Sequence, residues 1–229
     1  KILQISQNKD PENIFLSRSP RFRLQGEFIR DAALSFSGLL VDSVGGPSVK
    51  PYQPANIWNE VSLNGGLRYK RDSGDKLYRR SIYTYWKRSA PMPNMLIFDA
   101  PTREKCMIQR PITNTPLQAL VVLNDPQFVE SARAFAQKMI TEGGNNERAR
   151  INYGFKVALS REATEEEISV ITQVLKSQME SFDADNEKAK KFLSVGEISR
   201  DEKIDLVEHA SWSVIAQILL NMDETLTRG

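Results

Sequence analysis

Two carboxylates and an arginine, the residue types that could perform acid–base chemistry, lie together in residues 98–104. Asp99, Arg103 and Glu104 place two carboxyl groups beside a guanidinium in one short segment. Two carboxylates can act as general acid and general base, and an arginine can hold an anionic substrate. Asp99 also precedes Ala-Pro, which is typical of a turn capped by an aspartate, with Arg103 as its ion-pair partner. We favour the turn, assign no catalytic residue, and keep Asp99 and Glu104 as mutational targets.

A second region suited to chemistry is residues 68–88, here called the basic–aromatic strip. It contains eight basic and two acidic residues, interleaved with four tyrosines and a tryptophan. Arginine pairs bidentately with oxyanions and aromatic rings stack on sugars or bases, so the strip predicts binding of an anionic polysaccharide. The predicted ligand-binding residues are Arg79, Arg80, Tyr83, Trp86 and Lys87, joined by Arg103.

The strip also has a structural interpretation, which we favour. In this interpretation, the aromatic residues belong to the core. Arg79 and Arg80 then form hydrogen bonds or ion pairs with loop carbonyls or with carboxylates such as Asp99 or Glu104. Buried arginines often hold irregular loops together by satisfying backbone oxygens. The two interpretations differ in whether the cations remain free to meet a ligand.

Sulfur-containing residues could hold a soft metal in the irregular segment 92–107. Cys106 is the single cysteine, which excludes an internal disulfide, a four-cysteine zinc site and a CxxCH haem attachment within this chain. Together with Met92, Met95 and Met107 it could bind copper(I) or supply an axial haem ligand to a neighbouring domain. Such residues more often fill a core. We therefore predict no metal site and no cofactor in this chain.

The single histidine, His209, limits the hydrolytic mechanisms open to this chain. A Ser-His-Asp triad would depend on that one position, and an HExxH zinc site is excluded. His209 lies one helical turn before Trp212, so it either reaches a surface pocket or covers the edge of the core. We expect a structural role.

Length and composition favour one domain. The 229 residues are 40% hydrophobic, enough for a single sizeable core, and the formal net charge is only +2. No global field therefore attracts nucleic acid, and no apolar run reaches the roughly 20 residues of a membrane span. We predict neither a nucleic-acid partner nor a membrane span. The chain, 1–229, is expected to be one helical domain or the C-terminal portion of a larger one, within a longer polypeptide.

The elements that must position these residues are mainly helical. We predict an irregular multi-helix fold with long proline-rich loops and at most a short hairpin, at residues 69–76. The segment 92–112 is expected to be irregular and to pack inward. Apolar spacing and capping residues predict helices at 26–42, 75–88, 147–159, 186–195 and 201–222, and others starting at Thr115-Pro116, Asp125-Pro126 and Thr164. The last helix is apolar almost all round and should lie centrally in the core.

Several motifs in a fixed order identify a family resemblance. They are RRSIYTYWKRSAPMPNM, FDAPTRE and TNTPLQALVVLNDPQF between residues 79 and 128, with PRFRL at 20–24, IRD at 29–31, GGPSVKPYQP at 45–54 and LNMDETLTR at 220–228. Over nearly its whole length the chain resembles the planctomycete-type C-terminal domain of unknown function found in large exported proteins. Many of those proteins carry a cytochrome c-like domain further upstream.

The resemblance implies a periplasmic, cell-envelope or secreted location and partnership with upstream domains of the same polypeptide. A c-type haem would belong to such an upstream domain, and the resemblance transfers no catalytic residue. The leading hypothesis is a non-catalytic structural or interaction module of an exported multidomain cytochrome-type protein, not an enzyme by itself. The alternatives are a binding module for anionic polysaccharide, and part of an envelope enzyme acting on glycans, in which Asp99 and Glu104 are completed by upstream residues.

Overall fold

Helices dominate the computed structural model, which describes residues 8–15, 21–62 and 66–228. The mainly helical class is therefore confirmed. The helices of the described segments are α1 (Gly26–Ser37), α2 (Ile57–Glu60), α3 (Pro93–Ile97), α4 (Pro116–Asn124), α5 (Pro126–Glu142), α6 (Glu147–Leu159), α7 (Glu165–Ala184), α8 (Asn186–Leu193), α9 (Leu206–Asn221) and α10 (Asp223–Leu226). None of them combines the length and apolar character needed to cross a bilayer.

Helix α9 occupies the centre of the core, as its all-round apolar sequence predicts. It packs mainly against α5, α7 and α8. Trp212 and Leu219 of α9, Phe135 of α5 and Phe155 of α6 are completely buried in one cluster. Burying side chains of this size supplies most of the driving force for folding.

Local capping fixes the starts of the long helices where the sequence predicts them. The Asp125 side chain accepts the Gln127 N–H at 3.0 Å, and Pro126 opens α5. At α7, Thr164 and Glu167 form the predicted reciprocal capping box. Each cap satisfies backbone donors that have no partner inside the helix.

The first helix ends earlier than predicted. Gly38 adopts a left-handed conformation with φ of 76° and its N–H bonds back to Ser35 O, so α1 stops at Ser37 and not at residue 42. Glycine takes this conformation without the steric cost that other residues meet.

The predicted helix over 75–88 is wrong. This segment holds only two 3-10 turns, Gly74–Tyr78 and Ser81–Tyr83. Its carbonyls accept hydrogen bonds from elsewhere in the chain: Arg30 binds the carbonyl oxygens of Leu77 and Arg79, and the N–H of residue 41 donates to Tyr78 O. Tertiary hydrogen bonds have replaced the i to i+4 ladder that the apolar spacing suggested.

The short hairpin that the sequence allows at residues 69–76 does not form. Asp72 instead pairs with Lys50, donating its N–H to Lys50 O and accepting the Lys50 N–H on its side chain. The sheet found in the described residues joins β1 (Phe22–Arg23) to β2 (Thr227–Arg228) in antiparallel register. Local turn signals cannot predict the pairing of two strands that lie at opposite ends of the described sequence.

The segment 92–112 is irregular apart from α3, but only its first part packs inward. Met92, Met95 and Phe98 are buried, whereas Cys106 and Ile108 are exposed. Apolar composition alone did not distinguish a core segment from an exposed apolar loop.

Candidate functional site

A large concave feature of the described residues is a groove of about 1120 Å³ beside the exposed loop 104–112. We call it the apolar groove. Its apolar walls include Phe22, Phe28, Phe36, Met107, Ile108 and Ile112. Phe28 is 57% exposed and Ile108 is fully exposed. Side chains of this kind gathered in one concave surface are typical of a binding site for another apolar surface.

Four of the five charged residues that line the apolar groove form ion pairs: Arg23, Asp99, Arg110 and Glu224. Arg23 forms an ion pair with Asp99, and Arg110 binds both carboxylate oxygens of Glu27 at 2.8 and 3.0 Å. The fifth, Arg228, forms no ion pair with another described residue.

The Asp99 side chain is held by two separate segments of the chain, at Arg23 of β1 and at Thr113. Besides its ion pair with Arg23, its carboxylate accepts the Thr113 backbone N–H at 2.8 Å, and Arg23 Nε donates to Thr113 O at 2.7 Å. The predicted ion pair with Arg103 is wrong. Asp99 pairs with Arg23, and the Arg103 guanidinium lies instead 5.0 Å from the centre of the Trp86 ring. Glu104 is exposed and accepts no hydrogen bond within the described residues.

The basic–aromatic strip divides into a buried part and an exposed part. Arg79 is only 7% exposed, donates to the carbonyls of Pro47 and Ser43 at 2.8 and 3.0 Å, and stacks 4.0 Å from the centre of the Tyr83 ring. The Tyr83 hydroxyl accepts the Gly45 N–H at 2.8 Å. Arg79 and Tyr83 therefore stabilise the turn at residues 43–47 through hydrogen bonds, as the structural interpretation predicts for Arg79.

The other predicted ligand-binding residues lie nearer the surface. Arg80 pairs with Asp42 at 2.7 Å, and Trp86 Nε1 donates to Thr102 O at 3.0 Å. Lys87 Nζ lies 4.6 Å from the centre of the Trp58 ring. A ligand role for these residues stays a prediction.

A buried carboxylate, Glu130 of α5, joins three parts of the chain. Its Oε1 accepts the Tyr78 hydroxyl at 3.0 Å and the backbone N–H groups of Glu197 and Ile198 at 2.6 and 2.8 Å. Arg133, one turn along α5, lies 3.8 Å away. We call this arrangement the Glu130 latch, because it fastens the 3-10 segment and the loop after α8 to the same helix.

Burial dominates the electrostatics of the tyrosines around the latch. It raises the pKa of Tyr52 to about 12, and it raises the pKa of Tyr78 further, with the Glu130 carboxylate adding to both effects. A hydroxyl that stays protonated remains a donor to the carboxylate. Tyr78 therefore keeps its hydrogen bond to Glu130 throughout the neutral pH range.

A buried cation, Arg30 of α1, supports the neighbouring 3-10 segment. Its guanidinium donates to Leu77 O and Arg79 O, both at 2.7 Å, and to Ser81 Oγ at 3.1 Å. Burial lowers the pKa of Arg30 to about 10, with Asp31 opposing the shift, so the group is charged at neutral pH. The IRD motif thus positions the middle of the basic–aromatic strip, residues 77–81.

His209 is completely buried, so it covers no surface pocket. Its Nε2 donates to Arg133 O at 3.0 Å, which places the proton on that nitrogen and leaves Nδ1 without a partner. Burial lowers the pKa of the imidazole below its ordinary value of 6.5, and the cations of Arg133 and Arg200 add to the effect. A neutral histidine is therefore part of the core.

We expect this histidine to make stability depend on pH. The unfolded chain takes up a proton near pH 6.5 and the folded chain resists it, so the free energy of unfolding should fall by up to about 1.4 kcal/mol per pH unit below pH 6.5. Urea midpoints measured from about pH 7.5 to about pH 5 should show a slope that the variant His209→Gln reduces. A single imidazole resonance that titrates near pH 6.5 in the folded protein would contradict the assignment.

The sulfur-containing residues do not form one cluster. Met92 and Met95 are buried near Trp86, whereas Cys106 is exposed and its neighbour Met107 lines the apolar groove. Within the described ranges, no group of three or more His, Cys, Asp or Glu side chains is placed to hold a metal ion. The arrangement explains the methionines at 92 and 95 as core residues.

Sequence reasoning missed the two charged groups that organise this region, Arg30 and Glu130. Both lie on helices whose apolar spacing drew attention to other positions. A usable signal was present for the second: Glu130 and Arg133 are spaced i, i+3 inside the otherwise apolar face of α5, as expected for a buried ion pair.

A family model matches most of the chain. The family model described as "PSD1: Protein of unknown function (DUF1553)" matches residues 2–175. No curated protein and no solved structure shows significant similarity to the chain. Because the family model covers more than half of the sequence, the chain belongs to the PSD1 family of proteins of unknown function, DUF1553.

Proposed function

We propose that this domain is a non-catalytic interaction module that docks against another part of a longer polypeptide. The observation that carries the proposal is the apolar groove, whose exposed walls include Phe28, Ile108 and Ile112. Contiguous exposed apolar surface is uncommon unless it meets a partner. The domain would contribute binding and positioning, and chemistry would be performed elsewhere.

The disposition of the carboxylates supports a non-catalytic role for the groove. Asp99 is engaged by Arg23 and Thr113, and Glu224, the other carboxylate that lines the groove, by Arg161. A general acid or base needs a carboxyl group free to exchange a proton with a substrate. The groove presents apolar side chains and neutralised pairs instead.

The position of the two-stranded sheet favours a partner within the same polypeptide. Phe22 and Arg23 of β1 and Thr227 and Arg228 of β2 line the apolar groove, so both strands place the chain at its edge. A tethered segment reaches such a surface at high effective concentration without needing high intrinsic affinity. The proposed envelope location, and a cytochrome-type companion that would carry the haem, rest on the resemblance of the sequence motifs.

The test compares the 229-residue chain with the full-length polypeptide in which it occurs. In the full-length protein, backbone amides of residues 105–112 should exchange more slowly, and Cys106 should be alkylated at least about tenfold more slowly. Peptide mapping by mass spectrometry reads both effects. Residues 186–193 of α8, on a surface outside the groove, provide an internal control and should be unchanged.

A surface variant sharpens the comparison. Ile108→Asp replaces a fully exposed side chain, so it should leave the isolated chain folded and restore rapid alkylation of Cys106 in the full-length protein. Equal alkylation and exchange rates in the short and full-length proteins would overturn the proposal.

A further inference from the structure

A separate pocket of about 390 Å³ lies between α2 and the start of the basic–aromatic strip. We call it the Trp58 pocket. The lining residues that matter here are Gln53, Asn56, Trp58, Asn59, Arg68 and Arg71. Its volume lies in the range of small-molecule sites, and none of its lining residues is acidic.

Two guanidinium groups give this pocket its charge. Arg68 is exposed and forms no ion pair with another described residue. Arg71 is held in place, because it stacks 4.8 Å from the centre of the Tyr52 ring and pairs with Glu197 at 3.0 Å. A guanidinium binds carboxylate or sulfate through two parallel hydrogen bonds, so a free Arg68 beside a fixed Arg71 suits an oxyanion.

The wall of the pocket contains hydrogen-bond donors without acceptors. Trp58 Nε1 and Gln53 Nε2 are both buried, and neither has a partner. Trp58 is 9% exposed and its ring is fixed by Tyr69 at 5.2 Å and Tyr85 at 5.8 Å. A buried donor left unpaired costs about 1–3 kcal/mol, so either donor would gain from an acceptor in a ligand that reaches it.

The two asparagines add groups that match hydroxyls. Asn59 Nδ2 donates to Asn56 Oδ1 at 3.4 Å, which leaves the Asn56 side-chain amide hydrogens and the Asn59 side-chain oxygen Oδ1 without a partner among the described residues. Amide groups can donate and accept at once, as a sugar hydroxyl also does. The face of Trp58 is covered by Lys87 at 4.6 Å, so recognition would come from polar contacts and not from stacking on that ring.

We infer that the Trp58 pocket binds a saccharide that carries a carboxylate or a sulfate group. Arg68 and Arg71 take the oxyanion, and the amides of Gln53, Asn56 and Asn59 take neighbouring hydroxyls. The site lies outside the apolar groove and does not depend on docking there. It also places the anion contact at the start of the basic–aromatic strip, where Arg68 forms no ion pair with another described residue, and not at Arg79 and Arg80.

Calorimetric titration of the purified chain tests this inference. The probes are trigalacturonic acid, a sulfated chondroitin disaccharide, neutral maltotriose and a short oligothymidylate, all at low ionic strength. The two anionic saccharides should bind and maltotriose should not. Arg68→Gln should weaken the binding by about tenfold or more, since it removes a charge-assisted contact.

The matched control is Arg88→Gln. Arg88 is also exposed and belongs to the same strip, but it lies outside the pocket, so this change removes the same charge. It should change the affinity by less than about twofold, and both variants should keep the melting temperature of the parent. Equal losses in the two variants, tighter binding of oligothymidylate, or no binding of either anionic saccharide would overturn the inference.

Discussion

Replacing Glu130 by glutamine should lower the free energy of unfolding by about 3–5 kcal/mol. The substitution keeps the shape of the side chain but removes the negative charge that faces Arg133 at 3.8 Å, leaving a buried cation without its partner. It also weakens the bonds from Tyr78, Glu197 and Ile198, since a carboxylate accepts more strongly than an amide. Guanidinium unfolding monitored by tryptophan fluorescence measures the change.

The control for this prediction is Glu180→Gln, an exposed position on α7. It removes the same charge from a helix without touching a buried group, so it should cost less than about 0.5 kcal/mol. A loss below about 1 kcal/mol for Glu130→Gln would show that the Glu130 latch contributes little.

Gly196 gives an independent check on the Glu130 latch. A Cβ added at this position would lie 2.4–2.6 Å from side-chain atoms of Glu130, and its φ of 101° already excludes most other residues. The loop after α8 therefore approaches the carboxylate as closely as only glycine permits.

Replacing Arg30 by methionine should cost about 3–5 kcal/mol and loosen residues 74–83. Methionine fills a similar volume but leaves Leu77 O and Arg79 O without donors in a buried site. Each unpaired buried carbonyl costs about 1–3 kcal/mol. Unfolding midpoints should give the loss, and limited proteolysis should show earlier cleavage between residues 74 and 83 than in the parent protein.

Arg148→Met is the matched control, since its side chain is 56% exposed and pairs with Glu165 on the surface. An exposed ion pair contributes no more than about 1 kcal/mol. If the two arginine variants lose similar amounts of stability, Arg30 is not the support of the 3-10 segment.

The sequence could predict the long helices because the signals that set them are local. Thr164 with Glu167, and Asp125 followed by proline, specify helix starts within four residues. The all-round apolar face of α9 likewise indicates its central position. Such local signals predict a helix without any knowledge of the residues that pack against it.

The segment 68–88 was predicted poorly because distant residues determine its conformation. Tyr78, Ile82 and Tyr85 recur at helical spacing, yet Arg30 and the loop at residues 41–49 take the hydrogen bonds that a helix would use. The candidate binding site was missed for the same reason. The Trp58 pocket joins residues 53–59 to Arg68 and Arg71, and only the folded structure brings them together.

The pairing of β1 with β2 has a mechanical consequence. Phe22 pairs with Arg228 and Arg23 with Thr227, so tension applied outside the pair pulls on the outermost rung first. In this unzipping geometry the hydrogen bonds break one after another and share no load. A single-molecule experiment that stretches the protein from both ends should open this ladder at low force, with the main resistance arising later, when α5 separates from α9.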